Sequence, residues 1–83
     1  PCRLTVRLAG SVADLQAALP VWCGVLEPET ATHSLLRMGA DSPDALLAHV
    51  VMLGRDVEVV EGHDLVPRMR AVLQRTARAI RSG

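Results

Sequence analysis

A strict alternation of apolar and polar residues opens the chain: Cys2, Leu4, Val6 and Leu8 against Arg3, Thr5 and Arg7. Side chains along a strand point to opposite faces in turn, so this is a strand with one buried and one wet face. It commits the fold to a sheet covered on one side. The rest of the chain must supply partner strands and a covering layer. Eighty-three residues make one domain, spanning 1–83. A chain of that size buries only roughly 60–65% of the surface its unfolded form exposes. With one Trp and no Phe or Tyr, the core has to be aliphatic. A small aliphatic domain often gains stability from a partner or from a second copy of itself.

Ala9-Gly10 ends the first strand. Ser11 then caps a helix, with Asp14 at its third position in the manner of a capping box. Val12, Leu15 and Leu19 share one helix face, and Pro20 ends it. Val21 to Leu26 is too short an apolar run for a helix and reads as a strand, with Trp22 and Cys23 as core residues. Glu27-Pro28-Glu29-Thr30 reads as a solvated hairpin turn, and Thr32 to Met38 as the returning strand. Ser42-Pro43-Asp44 is a helix start: a capping Ser, a Pro at the first helical position and an acid at the positive end of the dipole. Leu46, Val50 and Leu53 line one side, and Gly54 is the C-terminal cap. Val57 to Glu61 is a short strand. Gly62-His63 turns the chain, and Asp64 caps a last helix. That helix carries Leu65, Met69, Val72, Leu73, Thr76 and Ile80 on one stripe.

Strand, helix, strand, strand, helix, strand is the split βαβ order. The expected fold is therefore α/β (α+β): a ferredoxin-like βαββαβ sandwich with an antiparallel sheet and an added C-terminal α-helix. Right-handed crossovers place the first two helices on one sheet face. The last helix then has two places for its apolar stripe: the open sheet face or another copy of the chain.

The second half of the sequence carries a resemblance. Ser42-Pro43-Asp44-Ala45-Leu46-Leu47 is followed by Leu53-Gly54-Arg55-Asp56-Val57-Glu58-Val59-Val60-Glu61, then Asp64-Leu65 and an Arg-rich amphipathic helix. This resembles the C-terminal extension of WYL-domain bacterial transcription regulators, the WCX domain. The opening Val6-Arg7-Leu8 strand fits as well. Gly62-His63 stands where that family usually has a proline. The resemblance implies the C-terminal part of a longer regulator, with winged-helix DNA-binding and WYL domains in the parent chain. It also implies a role in dimer formation and in sensing a ligand, single-stranded nucleic acid being one known type.

An enzyme is not expected. A nucleophile needs a base within reach and a third group to orient it. His33, His49 and His63 fall on three separate elements, Ser11 and Ser42 act as caps, and no phosphate loop or GxSxG elbow is present. No metal and no cofactor is expected: Cys2 and Cys23 are isolated, with no CxxC pair. On non-neighbouring strands of a ferredoxin-like sheet they would not form a disulfide. They read as core thiols suited to a reducing, cytoplasmic compartment. No apolar run approaches the length of a membrane span.

Charge is segregated although the formal net charge is zero. Acids concentrate in residues 27–64, while residues 65–83 hold Arg68, Arg70, Arg75, Arg78 and Arg81 and no acid. Such a segment suits an anionic partner or a solvated helix edge. On the sheet, Arg3, Arg7, His33 and Arg37 would converge on the open face if Leu36 and Met38 point inward. The competing reading pairs those arginines with Glu58 and Glu61, an arrangement worth about 0–1 kcal/mol per exposed pair. The candidate anion contacts are Arg3, Arg7, Arg37 and Arg75. The candidate dimer interface is Leu65, Met69, Val72, Leu73 and Ile80. Three functions fit. The first is an effector-sensing and dimerisation module of a WYL-type regulator, binding single-stranded nucleic acid or another anion. The others are a purely structural dimerisation domain, or a ferredoxin-like module with a small-molecule pocket at its dimer interface.

Overall fold

A computed structural model describes residues 2–83. The first strand, β1 (Cys2–Ala9), forms where the alternation predicts it. Helix α1 (Val12–Ala18) starts at Ser11, whose Oγ accepts the backbone N–H of Asp14 at 3.2 Å, and stops before Pro20. Next comes β2 (Val25–Pro28), and then β3 (His33–Ala40), α2 (Pro43–Leu53), β4 (Glu58–Glu61) and α3 (Leu65–Ala79). Ser42 Oγ accepts from Ala45 N at 3.1 Å, and Gly54 closes α2 in the left-handed conformation, both as the sequence implies.

Three local expectations need correction. Val21–Cys23 is a single 3-10 turn, not the start of a strand, so β2 begins only after Gly24. The reason lies at Gly24, whose φ of 144° and contact with Arg37 no side chain could share. A Cβ there would lie 2.1 Å from the Arg37 carbonyl oxygen. The hairpin turn also slips past Pro28, which pairs with Ser34 as the last residue of β2. The turn is closed by Thr30, whose Oγ1 accepts the backbone N–H of both Thr32 and His33. Asp64 precedes α3 without a side-chain cap bond.

The sheet is antiparallel throughout, in the order β2-β3-β1-β4. Its register sets Leu4 against Met38, Val6 against Leu36 and Leu8 against Ser34 on one face. Leu15 of α1, Leu46, Leu47 and Leu53 of α2, and Leu65 and Met69 of α3 join Leu4, Val6, Leu8, Leu36 and Met38 in one buried cluster. All three helices therefore cover the same face. This overturns one of the two seats anticipated for the last helix, the open sheet face: α3 packs beside α2 and next to Leu4 and Val59, over the β4 side of the core. The described residues form an α+β domain with a four-stranded sheet, three helices on one side and none on the other. No helix among the described residues is long and apolar enough to cross a membrane.

Candidate functional site

The uncovered sheet face is where the candidate cations gather. Because β1 alternates, Arg3, Thr5 and Arg7 share it, and the β3 register places Gly39, Arg37 and Leu35 directly opposite them. His33 lies at one end, opposite Ala9, and Gly39 at the other. From β4, Glu58 pairs with Arg7 and Glu61 with Thr5, after a register shift between Thr5 and Val6. Thr5 is buried despite facing away from the core. It sits between the long side chains of Arg37 and Glu61, its partners in the two neighbouring strands.

The arginines are not equivalent. Arg7 has all three guanidinium nitrogens engaged. Its Nε donates to Glu29 Oε1 at 2.6 Å, Nη2 to Glu29 Oε2 at 2.9 Å, and Nη1 to Glu58 Oε1. The fork-on-carboxylate geometry is the strongest form of such a pair. It raises the Arg7 pKa above its ordinary value and lowers that of Glu29, chiefly through these hydrogen bonds. Arg37 donates from Nε to Glu27 and from Nη1 to Glu61 Oε1 at 3.4 Å. Its pKa is raised, mainly by Glu27. Arg3 is exposed and makes no ion pair with any described residue.

Among the described residues the face is thus two cross-strand clusters and one unpaired cation, not an open basic surface. Glu58 and Glu61 take the part that the pairing alternative gave them. Glu27 and Glu29 do too, although the sequence read them only as a solvated turn. A β2 strand that starts late carries its acids onto the sheet edge, a shift that sequence spacing alone could not reveal. His33 turns to its own loop, where Nδ1 lies 2.9 Å from Thr32 Oγ1.

Arg75 does not join this face. It sits on α3, in the helical layer, and its Nη2 donates to Asp44 Oδ2 of α2 at 2.9 Å. The sheet separates it from Arg3, Arg7 and Arg37. The expected dimer stripe divides in the same way. Leu65 and Met69 are buried in the chain's own core, and Val72 packs against it. Leu73 and Ile80 are exposed, as are Val51 and Met52 of α2. An apolar groove between α2 and α3 is lined by Leu47, Val51, Met52 and Leu73.

Trp22, expected in the core, is about half exposed. The 3-10 turn swings it outward against His49 of α2, with ring centroids 5.2 Å apart, while Cys23 takes the buried position. Burial pushes the Cys23 thiol up. Cys2 and Cys23 are both free thiols. Among the described residues no group of three or more His, Cys, Asp or Glu side chains could hold a metal ion.

No curated protein and no solved structure matches the chain. One family model does, the WCX domain, over residues 1–77. The chain belongs to the WCX domain family.

Proposed function

We propose that this domain is a non-enzymatic regulatory module of a WYL-type transcription regulator. It senses an anionic effector, single-stranded nucleic acid being the leading candidate, together with the WYL domain of its parent chain. The effector shifts a dimeric, cytoplasmic parent between DNA-binding states. The observation that carries this reading is the family match, which spans nearly the whole chain and suggests a regulatory domain. A sheet face left free of helices and bearing Arg3, Arg7 and Arg37 supports it. We also read the fold as ferredoxin-like. The units β1-α1-β2 and β3-α2-β4, each with its two strands separated by one strand of the other, support that reading.

The test is fluorescence anisotropy with 5′-phosphorylated single-stranded DNA across a salt series, on this domain and on its parent chain. Salt-sensitive binding that weakens on Arg3→Ala is the expected result, since each phosphate contact adds to the salt slope. Salt-insensitive binding, or none by either protein, removes nucleic acid as the effector. A second reading, a structural dimerisation domain, is favoured by the exposed apolar set Val51, Met52, Leu73 and Ile80. In that case Leu73→Asp converts a dimer to a monomer in analytical ultracentrifugation while the fold persists.

A further inference from the structure

At the Arg3 end of the uncovered face the sheet has a gap. Gly39 stands opposite Arg3, so β3 presents no side chain there. Gly62 turns the chain off β4 with a φ of 93°, and a Cβ on it would lie 2.6 Å from the Arg3 carbonyl oxygen. Between these glycines lies a cleft of about 530 Å³, with Arg3, Thr5, Arg37 and Glu61 on its walls. Small-molecule pockets run from roughly 300 to 1,000 Å³.

The cleft is less fully paired than the Arg7 end. Glu61 is the one carboxylate on its walls beside Arg3 and Arg37, while Glu27 holds Arg37 through Nε from outside the cleft. Arg3 has no ion-pair partner among the described residues, and the Arg37–Glu61 contact is the longest ion pair of the described residues, at 3.4 Å. Arg37 Nη2 has no hydrogen-bond partner among them. A planar guanidinium with free N–H groups favours a planar or tetrahedral oxyanion over other partners. We infer that this cleft binds the oxyanion end of a small molecule, a carboxylate or a phosphate, between Arg3 and Arg37. The inference rests on the regulatory reading above and narrows it to one site. Arg3 is the anchor. Arg37 swings its Nη groups from Glu61 to the ligand, and Glu61 is the internal competitor that the ligand displaces. Glu61 ends β4, and the next residue, Gly62, accepts the N–H of Leu65, the first residue of α3, at 3.0 Å. Occupancy of the cleft therefore acts on the strand end from which the last helix departs.

The experiment is a two-dimensional amide NMR titration of the 83-residue chain with sodium phosphate and, separately, sodium acetate, at ionic strength held constant with chloride. Saturable shifts at Gly39, Gly62 and Arg37 are expected for at least one anion, and the tighter of the two identifies the oxyanion class. Arg3→Ala should weaken binding by about tenfold, the scale of one lost charge-assisted hydrogen bond. Glu61→Gln should tighten it. Asp14→Asn changes net charge equally but lies on α1, across the sheet, and should leave affinity unchanged. The same spectra report whether each variant is folded. Shifts that never saturate, binding that survives Arg3→Ala, or equal tightening by Glu61→Gln and Asp14→Asn would each overturn the site. Their failure leaves the family assignment and the dimerisation reading standing. Saturable binding that leaves the parent regulator's DNA affinity untouched removes the sensing role and keeps the site.

Discussion

The two faces of this sheet are built from the same strands and do opposite work. On the covered face, Leu4, Val6, Leu8, Leu36 and Met38 are nearly inaccessible and touch residues from all three helices. On the other face, one residue away along the same strands, stand Arg7 and Arg37, held by carboxylates, and Arg3, which pairs with no described residue. The difference follows from the period of a strand: every side chain's face is set by its neighbour's. The covered face holds the fold, and the uncovered face is free to vary its charge.

The largest expected effect is on the covered face. Leu36 is central in the sheet and fully buried, so Leu36→Ala should lower stability by about 2–5 kcal/mol, measured by urea unfolding. A loss below about 1 kcal/mol would break the comparison, because the core would then lie elsewhere. Gly24→Ala comes next, and it tests the link between the faces. The added methyl would press on the Arg37 carbonyl while an L-residue is forced to positive φ. Strain of this kind costs roughly 1–3 kcal/mol before the steric clash is added. The prediction is checked by a lower urea midpoint with an unchanged slope. Ser42→Ala should have a smaller effect, about 0.5–2 kcal/mol, because it removes one cap from α2 while leaving packing intact. Thermal unfolding reads this loss directly.

How much of this was legible in the sequence depended on how far each signal reaches along the chain. The β1 alternation, the Ser11 and Ser42 caps and the Gly54 terminus are local chemistry, and each appears in the structure as the residues imply. The Val21–Leu26 run misled because an apolar hexamer carries no period of its own. Only contact between Gly24 and Arg37, 13 positions apart, decides where β2 begins. The seat of α3 was equally hidden. Its stripe was visible, but nothing in residues 65–80 says that Leu65 and Met69 meet Leu4 and Leu47. The candidate site was half legible. Alternation placed Arg3, Arg7 and Arg37 on one face. The partner acids Glu27 and Glu29 depended on the β2 register, and Arg75 depended on the α3 seat.

The smallest predicted effect separates the two ends of the uncovered face. Arg3→Ala should leave stability unchanged at any pH, because Arg3 pairs with no described residue. Arg7→Ala should not, because it strands Glu29 and Glu58. The hydrogen bonds from Arg7 hold the Glu29 carboxyl below its ordinary value, so the folded state favours the ionised form. The sign follows from linkage. This contribution is fully present above the unfolded carboxylate pKa of about 4.3, and it is lost as pH falls through the lower folded value. The melting temperatures of wild type and Arg7→Ala should therefore differ at pH 7 and converge as pH drops below the ordinary carboxylate range. Added salt at neutral pH should narrow the same gap, since both partners are solvent-accessible. A gap that persisted unchanged in acid would mean that Arg7 acts through the packing of its aliphatic stem, and the charged face would then be a structural face as well.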